Sequence, residues 1–112
     1  MKSETEIKYD YISFYREDFA GVSLNNKWGF INRQREVVIS IKYDYVGYFS
    51  KGLAVVRLNE KYGFINKQGQ VVIPIIYDDV AYFFGGLARV EFKGITGIIS
   101  KTRYTTVRLG VK

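Results

Sequence analysis

Three stretches of the chain, Phe19–Leu24, Leu53–Leu58 and Leu87–Phe92, alternate with the period of two that marks a strand with two distinct faces. One face is apolar in every stretch: Ala20, Val22 and Leu24; Ala54, Val56 and Leu58; Ala88, Val90 and Phe92. The other varies, with Gly21, Ser23 and Asn25, then Val55, Arg57 and Asn59, then Arg89, Glu91 and Lys93. The constant face predicts a core, and the variable face predicts a surface turned mostly to solvent or to a partner. No segment sustains a 3.6-residue apolar period, so helix is expected only as isolated turns.

A short polar turn follows each stretch (Asn25-Asn26-Lys27, Asn59-Glu60-Lys61, Lys93-Gly94-Ile95) and leads into a second strand, as in a hairpin. That strand carries a glycine at one repeated place, Gly29, Gly63 and Gly97. Glycine weakens a strand interior, so its recurrence predicts a close backbone or aromatic approach. A third strand contains Val37-Val38-Ile39, Val71-Val72-Ile73 and the weaker Thr105-Thr106-Val107. Before it, Lys67-Gln68-Gly69-Gln70 reads as a turn with Gly69 at positive φ, and Arg35 occupies that position in the first copy.

The three copies are spaced by 34 residues: Tyr9-Asp10-Tyr11 returns as Tyr43-Asp44-Tyr45 and Tyr77-Asp78-Asp79. Without gaps, residues 9–42 match 43–76 at 17 of 34 positions, which is a true repeat. The 112 residues therefore read as a single domain, 1–112, of three tandem 34-residue units, 9–42, 43–76 and 77–110. The expected fold is all-β, each unit a three-stranded meander, with the first and last units atypical because they cap the array. The meanders could stack as an open array or close about a pseudo-threefold axis, and exposed edge strands leave homo-oligomer formation open.

Lys27-Trp28-Gly29-Phe30-Ile31-Asn32 and Lys61-Tyr62-Gly63-Phe64-Ile65-Asn66 resemble the WG (KWG) repeat family, as do Gly52-Leu53-Ala54-Val55-Val56, Val71-Val72-Ile73-Pro74 and Tyr77-Asp78. The resemblance covers nearly the whole chain but only the first half of residues 77–112. It implies a tandem β-repeat found mainly in bacterial proteins, and no catalytic residue. Trp28, the sole tryptophan, then reads as a packing aromatic ahead of a ligand-stacking one.

Composition narrows the chemistry. Cysteine and histidine are both absent, which removes thiol nucleophiles, histidine-based triads and Cys/His zinc sites. The glycines lack the spacing, lysine and following helix of a phosphate-binding loop. Asp10, Asp44 and Asp78 recur with the repeat and read as acceptors for loop N–H groups; Asp78-Asp79 alone makes a poor cation site. No enzyme, cofactor or metal is expected. The N-terminus lacks the apolar core of a signal peptide and no run is long enough to span a membrane, so a soluble cytoplasmic protein is expected.

The leading functional expectation is a protein–protein interaction module using the variable face, through Arg57, Arg89 and Glu91 with Phe84 nearby. Phe84 stands out because Arg16 and Ser50 hold its place in the other units. The alternative follows from charge: the chain carries net +6, and after Glu91 it has five bases and no acid. Lys93, Lys101, Arg103 and Arg108 could then bind a small anionic ligand or a polyanion such as nucleic acid.

Overall fold

The computed structural model describes residues 8–81, 83, 85–100 and 106–109, the last four by their backbone alone. It is all-β. The first sheet contains β1 (Tyr11–Ile12), β2 (Ala20–Leu24), β3 (Lys27–Ile31) and β4 (Val37–Tyr43). The second contains β5 (Tyr45–Val46), β6 (Leu53–Leu58), β7 (Lys61–Asn66) and β8 (Val71–Tyr77). The third contains β9 (Asp79–Val80), β10 (Leu87–Phe92), β11 (Ile95–Ser100) and β12 (Thr106–Leu109). Each sheet is an antiparallel meander in chain order. Each has four strands where the alternation pattern marks three, because the Tyr-Asp segment adds a two-residue strand too short to show a period.

The turns are built as their residues require. Asn25-Asn26, Asn59-Glu60 and Lys93-Gly94 all have positive φ at both positions, the geometry of a two-residue hairpin whose twist matches its strands. Gly69 takes φ +81°, and Arg35 is held at +65° in the same place, so the first unit carries the strained version of that turn.

The recurring strand glycine answers to the third strand. Tyr62 pairs with Tyr77 and Phe64 with Ile73, so two residues along β7 face four along β8 and the latter bulges inward. A Cβ on Gly63 would lie 2.6 Å from the Ile73 carbonyl oxygen and 2.7 Å from Ile75 Cα. Gly29 meets the Ile39 carbonyl in the same way. The close backbone approach is therefore real at both positions.

The sheets stack face to face in an open linear array, not a closed barrel. Phe30, Ile39 and Tyr43 of the first sheet pack against Val46, Ala54, Val56 and Ile65 of the second unit, with Phe49 between them. One unit later Leu53, Phe64, Ile73 and Tyr77 pack against Ala88, Val90 and Ile99. Ala20, Val22 and Ile31 on the outer face of the first sheet are covered by Tyr9, Tyr15 and Ile41. Full burial of each of the larger aliphatic or Phe side chains among these contributes about 1.5–3 kcal/mol, and of each alanine under about 1 kcal/mol.

This stacking bears out most of one face assignment and corrects the other. Of the constant positions, Ala20, Val22, Ala54, Val56, Ala88 and Val90 are buried and Leu24 and Leu58 partly so, but Phe92, expected in the core, is 38% exposed at the outer end of its strand. Gly21, Ser23 and Val55, expected on a solvent or partner face, are buried as well. A sheet inside a stack has a neighbour on both sides, so its second face is core too. Only in the third sheet does that face open, where Arg89 stands in the place of Val55 and is exposed together with Glu91.

Candidate functional site

The acidic residues dictated by the repeat serve the scaffold. Asp10, Asp44 and Asp78 each accept a backbone N–H at the next hairpin turn, from Asn25 (2.9 Å), Asn59 (2.9 Å) and Lys93 (2.8 Å). The second carboxylate oxygen reaches back one unit: Lys27 Nζ donates to Asp44 at 2.6 Å, and Lys61 does the same to Asp78. The lysine hydrogen bond, aided by the turn amide, holds the Asp44 and Asp78 carboxyls below the ordinary range. The sequence expectation of N–H acceptors holds, and the lysine before the aromatic–glycine pair gains a reason as the inter-unit tie.

Another link crosses the first junction. The Glu17 carboxylate accepts the N–H of Lys51 and that of Gly52 (2.9 Å), with Lys67 Nζ at 3.7 Å. Partial burial pushes the Glu17 carboxyl up, but the two amides and Lys67 outweigh it and leave it lowered.

A concavity with an open mouth lies across the same junction, on the side of the short strands. It is a cleft of about 410 Å³, mostly apolar, walled by Tyr11 and Trp28 from the first unit and by Tyr45 and Tyr48 from the second. Tyr11 is 62% exposed, and Tyr45 and Tyr48 are each 42% exposed. Trp28 is half-buried, packed against the junction core, and its ring meets Tyr11 edge-on at 5.7 Å. The Arg16 guanidinium lies over the Tyr48 ring, 4.6 Å from its centroid.

The floor of the cleft exists because of Gly21. A Cβ there would stand 3.3 Å from Val46 Cγ2 and from Ser13 Oγ, so any side chain would grow into the cavity. Ser13 Oγ already accepts the Gly21 N–H (2.9 Å). One unit on, Val55 occupies the equivalent place and is buried, Asp79 replaces Tyr45, and Tyr62 replaces Trp28. Among the described residues this aromatic set is thus complete at the first junction. Its size suits a small ligand or a few residues of a bound peptide.

The residues expected to bind a partner are not brought together there. Arg57 is half-buried on β6, its guanidinium 5.7 Å from the Tyr62 ring centroid. Arg89 and Glu91 lie on the open face of the third sheet beside a hollow of about 30 Å³, room for one water molecule. Phe84 lies outside the described residues, as do Lys101 and Arg103. Arg108 sits on β12, and Lys93 holds a hairpin turn with its ammonium 5.3 Å from the Phe92 ring centroid. Among the described residues no three acidic side chains gather into a metal site. Sequence reasoning passed over Tyr11 and Tyr45 because the Tyr-Asp motif suggests scaffold, and over Tyr48 because no motif marks it. The available signal was Gly21, the one copy without a side chain at its position.

Compared with known proteins, the chain matches the family model described as WG containing repeat, over residues 5–28, 28–62 and 62–94. No curated protein matches it.

Proposed function

The chain belongs to the WG-repeat family, and on that premise we propose that it is a non-enzymatic module that binds another protein in the aromatic cleft of its first junction. The observation that carries this reading is the set of Tyr11, Tyr45 and Tyr48, held on a rigid scaffold and exposed around Trp28 over a floor left open by Gly21. Tyrosine and tryptophan supply large contact area at low entropic cost and are the residues that dominate binding energy in protein interfaces. The lining presents no carboxylate and no histidine, which suits recognition by stacking and hydroxyl hydrogen bonds over chemistry at a reacting centre.

The test uses the sole tryptophan as reporter. Binders are selected from a displayed peptide library, and Trp28 emission is followed during titration. Binding in the cleft shifts the emission, and Tyr11→Ala or Tyr48→Ala weakens it by roughly tenfold or more in folded protein. Binders that leave Trp28 emission unchanged, with equal affinity for both variants, would place recognition elsewhere.

A further inference from the structure

The three units share a two-residue turn just ahead of their long first strand: Glu17-Asp18, Lys51-Gly52 and Gly85-Gly86. All these residues have positive φ, 52° and 74°, 54° and 83°, 62° and 83° respectively. Successive N–H groups in such a turn converge into a concavity that suits an anion. In the second unit the concavity is filled, because the Glu17 carboxylate takes the N–H groups of both Lys51 and Gly52.

Glu17 reaches that turn from the equivalent turn one unit earlier, and the second junction repeats the first closely. Phe30 and Phe49 ring centroids are 4.7 Å apart and those of Phe64 and Phe83 are 4.9 Å apart. The Asn59 N–H to Asp44 and Lys93 N–H to Asp78 distances are 2.9 and 2.8 Å. By repeat position Lys51 is the counterpart of Glu17, and Gly85-Gly86 the counterpart of Lys51-Gly52. The amide pair is kept, but the residue placed to fill it carries the opposite charge.

The third turn is also bare. Gly85 and Gly86 are exposed, and neither has a hydrogen-bond partner among the described residues, whereas the N–H groups of Lys51 and Gly52 both donate to Glu17. The first turn is unsuited to an anion because its own side chains, Glu17 and Asp18, are acids. We propose that the Gly85-Gly86 amides, with the positive charge of Lys51, bind an external carboxylate at the second junction, the counterpart of the internal Glu17 link at the first. The carboxylate can come from a small acid or from an acidic side chain of a polypeptide. This site is separate from the aromatic cleft and independent of its reading.

The experiment is an amide-resolved NMR titration of the full chain with sodium acetate, against sodium chloride at matched ionic strength. The Gly85 and Gly86 amides should shift and saturate with acetate, while the Gly52 amide, already engaged by Glu17, stays still. Lys51→Glu places at the second junction the residue that works at the first, at a backbone φ that Glu17 already tolerates. It should shift both glycine amides without acetate and weaken acetate binding at least about tenfold. The peptide N-acetyl-Ala-Glu-Ala-amide, compared with its Gln counterpart, separates the two sources. Tighter binding of the Glu peptide than of acetate points to a side chain, and equal binding points to a free acid. Acetate shifts at Gly85 and Gly86 no larger than those in chloride, or an acetate response unchanged in Lys51→Glu, would overturn the proposal.

Discussion

Gly63→Ala tests the physical meaning of the repeated strand glycine, because the sign of its effect is unusual. In most extended positions this change stabilises by about 0.4–1 kcal/mol through the entropy of the unfolded chain. Here the new Cβ would meet the Ile73 carbonyl oxygen at 2.6 Å and Ile75 Cα at 2.7 Å, both backbone atoms of β8. Reaching ordinary contact requires β8 to withdraw by roughly half an ångström or more. Ile73 is fully buried between the second and third sheets, so that movement disturbs the core as well as the bulge. Overpacking of this kind costs about 1–3 kcal/mol, and loss of the paired bulge adds to it. We expect a net loss of about 2–3 kcal/mol, and a Tm lowered by roughly 8–12 °C at about 4 °C per kcal/mol. Urea melts followed by both Trp28 fluorescence and circular dichroism measure it and check that the transition is cooperative. Gly94→Ala is the control: its φ is +82° but its surroundings are open, so it should cost only about 1–2 kcal/mol for the left-handed backbone. A Gly63→Ala protein as stable as the parent, or more so, would refute the close-approach account.

Val56→Asp should unfold the chain at room temperature or nearly so, because it places an unpaired charge in the fully buried first junction, whereas Arg57→Asp, one residue along and half-exposed, should cost far less; equal losses in a denaturant melt would contradict the face assignment. Deleting residues 77–112 uncovers Leu53, Val55, Phe64 and Ile73 together, so residues 1–76 should aggregate or lose cooperativity, and a monomer with a dispersed NMR spectrum would show that two units suffice. Asp44 and Asp78 have depressed pKa values in the folded state, so the stability they contribute is complete above the unfolded carboxylate pKa of about 4 and is lost as pH falls through the lower folded values. The Tm gap between the parent and an Asp44→Asn, Asp78→Asn double variant should therefore close on acidification from pH 6 to 2, and a constant gap would mean that the carboxylate charge is not what matters.

Comparison of the three copies makes the interior of each unit legible in the amino-acid sequence itself. Strand alternation, hairpin turns, the left-handed turn glycine and the N–H-accepting aspartates all depend on residues close in sequence, and repetition marks which of them the scaffold requires. Gly29 and Gly63 can be read as close-approach positions because only a backbone constraint would hold glycine within a strand three times. The two-residue strand at Tyr45–Val46 carries no such signal, since two residues cannot display a period.

What tertiary structure alone decided is how the units meet. Val55 looks like a surface residue because its counterparts are Gly21 and Arg89, yet it is buried: alternation reports that a strand has two faces, but the partners of each face come from residues 34 positions away. The aromatic cleft has the same origin, since Tyr11 and Trp28 acquire Tyr45 and Tyr48 as neighbours only when the second sheet stacks on the first. The Glu17 link and the bare turn at Gly85-Gly86 likewise appear only once one unit's side chain is seen against the next unit's amides. Local pattern determines which elements a chain of this kind forms, because hydrogen bonding and turn geometry act over a few residues; burial and sites depend on packing between elements, and that is settled only in three dimensions.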